Sequence, residues 1–191
     1  MQRLGLFGGA FNPVHLGHLL VAQAAMEELG LDRLFFIPAA QSPFKQENEI
    51  VSAGIRLRLL RLAIAGKSNW EIDDQEIRRG GVSYTIETAR CFAAKFPGAK
   101  LFCLIGADNV SRLNEWREAA ELARLVEFAA VPRPGKMRMD FPKPFQGKFL
   151  NGFPLEISSS VIRARLKAGL PVENLVPRLV AEAIGAARLY V

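Results

Sequence analysis

Short apolar runs that alternate with helix-patterned segments constrain this chain more than any other feature. Residues 3–7, LFFIP at 34–38, LFCLIG at 101–106 and VEFAAV at 126–131 read as buried strands. WEID at 70–73 is a weaker strand, and FPLEI at 153–157 reads as a last short one. Between them, Leu19, Ala22, Met26 and Leu29 recur at helical spacing ahead of a stop at Gly30. Ile55, Leu59 and Leu62 share one side of a helix, residues 85–95 predict another, and two short helices flank Trp116. SSSVIRARLKAG opens a helix on its serines, and residues 177–187 predict a terminal one. Apolar strands separated by helices imply an α/β protein with a doubly wound, mostly parallel sheet covered on both faces. Ligands of such sheets sit at the C-terminal ends of the strands. The 191 residues predict one domain, with about 158–191 as a small helical C-terminal subdomain.

The formal charge of +6 suits anionic partners, either nucleic acid or phosphorylated small molecules. The basic segment around 136–148 carries Phe141, Phe145 and Phe149, an interleaving that single-stranded nucleic acid can use. A solvated basic loop whose phenylalanines enter the core is the favoured reading, so no nucleic-acid partner is expected. Cys91 and Cys103 lie in apolar segments and favour buried thiols in a reducing compartment, with a disulfide as the alternative. LGLF at 4–7 is too short for a signal core, and no apolar run reaches the roughly 18 residues of a membrane span. A cytoplasmic protein without a membrane partner is the expectation.

Familiar nucleotide fingerprints are missing. No G-x-G-x-x-G follows the first strand. Gly66-Lys67-Ser68 resembles the end of a P-loop, but Arg61 occupies the first glycine position and a helix precedes it. It reads as a helix terminus.

Two other constellations carry chemistry. In GGAFNPVHLGH, residues 8–18, Gly8 and Gly9 follow the first strand and let a ligand approach the backbone. His15 and His18, three residues apart, share a face of the next helical turn. Helix N-termini attract anions, and imidazoles placed there can donate to a phosphate. A metal reading lacks a third ligand nearby. In ISSSVIR, residues 157–163, Ser158, Ser159 or Ser160 can cap a helix whose first turns bring Arg163 toward the same end.

Together these residues resemble the nucleotidyltransferase superfamily marked by an H-x-G-H motif, here His15-Leu16-Gly17-His18. Within it the chain is similar to the bacterial nicotinate-nucleotide adenylyltransferases. The likeness runs through GGAFNPVHLGH, IPAAQSPFK, EIRRGGVSYTIET, IGADN, the Trp116 region, VPRPG, ISSSVIR and the closing LVP…ARLYV. It implies a Rossmann-like nucleotidyltransferase fold and transfer of AMP from ATP to nicotinate mononucleotide, with Mg²⁺ carried by the ATP phosphates. It also implies site residues. His18 and His15 contact the reacting phosphates, and Gly8, Gly9, Ala10 and Phe11 lie under the nucleotides. Ser158, Ser159 and Arg163 hold the triphosphate, and Asp108 meets the ATP ribose or adenine. Ser83, Tyr84, Thr85, Trp116 and Arg117 take the pyridine ring and its carboxylate, and Lys45 and Arg133 the acceptor phosphate. Arg117 is a candidate for favouring the acidic ring over the neutral amide.

The chain departs from the family pattern at Ala10, Asn12 and Phe44, where threonine, aspartate and histidine are frequent. The alternatives are a nicotinamide mononucleotide adenylyltransferase or a non-catalytic nucleotide-binding module on the same fold. Phosphopantetheine adenylyltransferases share the motif but lack SYT and RPG segments, and 191 residues leave a class I aminoacyl-tRNA synthetase no anticodon-binding domain. The oligomeric state, monomer or homodimer, stays open.

Overall fold

The computed structural model describes residues 1–42, 51–132, 139–153 and 155–191. One sheet contains β1 (Arg3–Gly9), β2 (Arg33–Pro38), β3 (Trp70–Ile72), β4 (Lys100–Gly106), β5 (Glu127–Val131) and β6 (Gly147–Phe149). Its order is β3-β2-β1-β4-β5-β6, and each neighbouring pair is parallel. Strand order reverses between β1 and β4, which opens a crevice at their C-terminal ends.

Side chains alternate between two apolar layers, as the pleat requires. Leu34 and Phe36 of β2 and Phe102 and Leu104 of β4 enter one layer. Phe35, Ile37, Leu101, Cys103 and Ile105 enter the other. The first layer packs against α1 (Leu16–Leu29), α2 (Ala53–Ile64), α6 (Ser159–Lys167) and α7 (Arg178–Ala186). The second packs against α4 (Thr85–Lys95), α5 (Ala119–Leu125) and a 3-10 helix, Ala107–Glu115. Ile162 of α6 and Val180 and Ile184 of α7 share their buried cluster with Leu59 and Leu60 of α2. Hydrophobic burial therefore ties the C-terminal helices to the same core as the sheet.

Three expectations need correction. Among the described residues the last strand is Gly147–Phe149, inside the segment expected as a basic loop, while residues 153 and 155–157 form no strand. A Cβ at Gly147 would lie 2.6 Å from the Phe141 ring, so only glycine admits that ring over the strand. Phe145 is buried against Phe128, and Phe141 packs on Phe149, which draws this segment onto the sheet. After β6, the Glu28 carboxylate accepts the Asn151 and Gly152 N–H groups at 2.8 and 2.9 Å and leads the chain away. A short helix, α3 (Gln75–Arg79), was not anticipated. Cys103 is buried as expected, but Cys91 is exposed on α4, and both are free thiols. Gly66, with φ +80°, terminates α2, in keeping with its reading as a helix end. Among the described residues, no helix is long and apolar enough to cross a membrane.

Candidate active site

The crevice is a trough made of two adjoining cavities that share a wall. One, of about 350 Å³, is lined by Gly8–Asn12, His15, Gly17 and His18, and on its far side by Ile157–Ser160 and Arg163. The other, of about 320 Å³, is lined by Gly8–Ala10, Ser83, Thr85, Asn109 and Trp116, with Glu76, Thr88 and Cys103 among its remaining walls. Both share Phe7, Gly8, Gly9, Ala10, Ile105 and Gly106, the ends of β1 and β4. Nothing lies within 4 Å of a Cβ built on Gly8, so that glycine borders open space.

Carbonyl partners hold the loop after β1 in place. Arg56 Nη1 donates to Ala10 O at 2.8 Å, Arg163 Nη1 to Asn12 O at 2.8 Å, and Ser159 Oγ to Pro13 O at 2.9 Å. Asn12, almost wholly buried, accepts the Tyr190 hydroxyl on Oδ1 at 2.9 Å. Phe11 has a left-handed backbone, φ +47°, and its buried ring lies edge-on to His18 at 4.9 Å.

His15 is the N-cap of α1, and the two imidazole centroids are 3.7 Å apart. His18 Nδ1 accepts the His15 backbone N–H at 3.2 Å, which assigns the proton of the neutral ring to Nε2. Burial lowers the His15 pKa to about 4. Burial and then the neighbouring His15 push His18 well below the ordinary imidazole range. Both rings are therefore neutral at physiological pH in the free protein, and His18 offers a fixed Nε2–H donor. His15 Nδ1 is buried with no hydrogen-bond partner. A polar atom left so usually awaits a ligand or water.

Gly17 admits this arrangement. A Cβ there would stand 2.6 Å from Ile157 Cγ2 and 3.0 Å from the His15 ring. The glycine of the H-x-G-H pattern is therefore a contact surface between α1 and the segment entering α6.

At the opposite wall, Ser158 caps α6 by accepting Val161 N–H at 3.3 Å. Ser158 and Ser159 thus divide the work, one capping the helix and the other tying it to Pro13. The N-termini of α1 and α6 face the same cavity, a geometry suited to a polyanion.

On the second side, Trp116 sits edge-on to Phe128 at 6.0 Å and lines the cavity. It also borders a hollow of about 240 Å³ with Ser83, Tyr84, Thr85 and Arg117. Ser83 Oγ accepts Ala40 N–H at 2.9 Å, so its hydroxyl also pins the chain after β2. The Arg117 guanidinium lies 4.6 Å from the Tyr84 ring centroid and pairs with Glu87 at 3.4 Å and Glu118 at 3.7 Å.

The structure thus gathers Gly8, Gly9, Ala10, Phe11, His15, His18, Ser158, Ser159 and Arg163 around one cavity. It gathers Ser83, Tyr84, Thr85, Trp116 and Arg117 around the other side. Asp108 is exposed at the start of the 3-10 helix, and its neighbour Asn109 lines the trough instead. Lys45, Phe44 and Arg133 lie outside the described residues. Sequence reasoning missed Gly17, Arg56, Glu76 and Tyr190. Gly17, Glu76 and Tyr190 fall inside the family-like stretches GGAFNPVHLGH, EIRRGGVSYTIET and ARLYV, whereas Arg56 carried no such signal.

A crevice at the switch point, with paired imidazoles facing a second helix N-terminus, defines a nucleotidyltransferase. The model of the cytidylyltransferase-like family matches residues 6–165. The chain belongs to that family and, within it, to the nicotinate-nucleotide adenylyltransferases. It is 41% identical to the probable nicotinate-nucleotide adenylyltransferase of Opitutus terrae, over 99% of this chain and 98% of that one. It is 39% identical to the counterpart of Shouchella clausii, over 100% and 97%. Among solved structures it resembles the nicotinic acid mononucleotide adenylyltransferase of Plasmodium falciparum complexed with NaAD. That TM-score is 0.82 at 18% identity, over 100% and 98% of the two chains. This second likeness is one of fold.

Proposed function

We propose that the trough transfers the adenylyl group of ATP to nicotinate mononucleotide, forming nicotinate adenine dinucleotide and pyrophosphate. The presence of Gly8–Ala10 in the walls of both cavities carries this reading, because it lets two bound phosphates meet over one loop. A phosphate oxygen of the mononucleotide attacks the α-phosphorus in line, a new P–O bond forms, and the bond to the β-phosphate oxygen breaks. Pyrophosphate leaves with the electron pair, and the attacking phosphate oxygen is already deprotonated.

Little covalent work falls to the protein, so positioning and charge stabilisation dominate. His18 Nε2–H donates to the α-phosphate as charge spreads over it, and His15 meets the phosphates beside it. Arg163, Ser158, Ser159 and the α6 N-terminus hold the triphosphate and the departing pyrophosphate. Thr85 and Trp116 hold the pyridine ring, Asp108 stays assigned to the ATP nucleoside, and Lys45 and Arg133 to the acceptor phosphate. Mg²⁺ would neutralise part of the triphosphate charge.

The test supplies ATP, Mg²⁺ and either nicotinate or nicotinamide mononucleotide and measures pyrophosphate and dinucleotide. Product with the acid is expected. No product with either acceptor rejects the reading, and equal rates remove its acid-specific part. His18→Ala should lower kcat by roughly 100- to 1000-fold, the usual cost of one donor aimed at developing charge. A near-normal kcat would release His18 from its role. An unchanged acid-over-amide preference in Arg117→Ala would do the same for Arg117, whose charge already faces Glu87 and Glu118.

A further inference from the structure

Glu76, on the first turn of α3, is only 6% exposed yet contributes to the wall of the acceptor-side cavity. Its Oε1 accepts the Thr88 hydroxyl at 2.6 Å, and among the described residues no lysine, arginine or histidine pairs with it. Its negative field reaches the adjacent Cys103, whose thiol is pushed up to about 12 by burial first and by Glu76 second. A carboxylate taken out of water with one neutral donor is expensive, and buried charges are ordinarily matched by an opposite charge. The same cavity carries Thr85 and Trp116, the walls assigned above to the pyridine ring.

The ring nitrogen of a pyridine mononucleotide bears the glycosidic bond, so the ring is a pyridinium with a permanent positive charge. It has no acidic N–H to lose and cannot shed that charge on burial. We propose that Glu76 is a specificity-determining residue that reads the pyridinium charge of the acceptor. The inference rests on the proposed function and deepens it. It also orients the ring. Attraction turns the ring nitrogen toward Glu76, and like-charge repulsion sends the nicotinate carboxylate to the hollow formed by Tyr84, Thr85 and Arg117. The two charges of the ring thus find opposite ends of one site.

The experiment compares two acceptors that share carboxylate, ribose and phosphate: nicotinate mononucleotide and its 1,4-dihydro form, whose ring is neutral. Dissociation constants are measured for both on the wild-type protein and on Glu76→Gln, which keeps shape and an oxygen for Thr88. Wild type should favour the charged ring by on the order of tenfold, equivalent to about 1.4 kcal/mol. Glu76→Gln should bring the ratio near one. Thr88→Val, which leaves the carboxylate in place, should keep the wild-type ratio even if both acceptors bind less well. If the Gln variant does not fold, Glu76→Met makes the same comparison without a buried polar end. A wild-type ratio of one, or an unchanged ratio in the charge-removing variant, overturns the proposal. Absence of turnover with either pyridine nucleotide would instead defeat the proposed function, so the two failures are distinct.

Discussion

His15 shows how a single buried side chain makes this protein sensitive to acid. Its folded pKa of about 4 lies below the unfolded value of 6.5, so the folded state resists protonation. Below pH 6.5 the unfolded chain binds the extra proton, and stability falls as pH drops toward 4. Over that window the loss is about 3 kcal/mol. Above pH 6.5 the contribution is complete and constant. Urea unfolding at pH 7 and pH 4.5 should show the wild type losing more stability than His15→Gln. Parallel losses would mean that His15 titrates normally. Gly17→Ala belongs to the same residue scale, because its Cβ would meet both Ile157 and the His15 ring. That variant should lower kcat by displacing the imidazole pair while helix content, read by circular dichroism, is retained.

At the scale of elements, the connection from β6 to α6 decides where the α6 wall of the trough stands. Glu28, near the end of α1, holds Asn151 and Gly152 by their N–H groups, and Ile157 downstream lines the cavity. Glu28→Ala should lower the melting temperature by a few degrees, equivalent to about 1 kcal/mol. It should also raise KM for ATP several-fold while leaving KM for nicotinate mononucleotide unchanged. Equal effects on both substrates would remove the connection from ATP positioning. This region was also the least legible in the sequence. LFFIP and LFCLIG announced β2 and β4 because buried parallel strands are continuously apolar. Gly147-Lys148-Phe149 is too short and too polar to do so, and it is a strand because Phe141 and Phe145 pack around it. The five-residue α3 likewise lacks enough length for a period to show.

For the molecule as a whole, the chain closes on itself at the site. Tyr190 reaches Asn12 across 178 residues, and Arg163 reaches the carbonyl of Asn12 across 151. Tyr190→Phe removes one hydrogen bond from a buried amide and should cost about 1 kcal/mol of stability. Because Asn12 lies in the loop after β1 that lines the trough, kcat should fall as well, which paired melting and turnover measurements will show. A variant with wild-type kcat at reduced stability would confine Tyr190 to holding the chain end.

By itself the sequence determined the alternation of strands and helices, and with it a parallel sheet with its crevice at the strand ends. It also determined the chemistry available there: glycines at a strand end, two histidines one helical turn apart, and serines opening a later helix. These are local patterns, expressed in spacings of two to four residues that periodicity and capping rules can read. The tertiary structure alone decided which nitrogen of His18 carries the proton, that Gly17 is a contact surface, and that Glu76 stands buried without a cation among the described residues. Each depends on atoms brought together by packing, and burial changes the energy of a charge in a way that no spacing along the chain records.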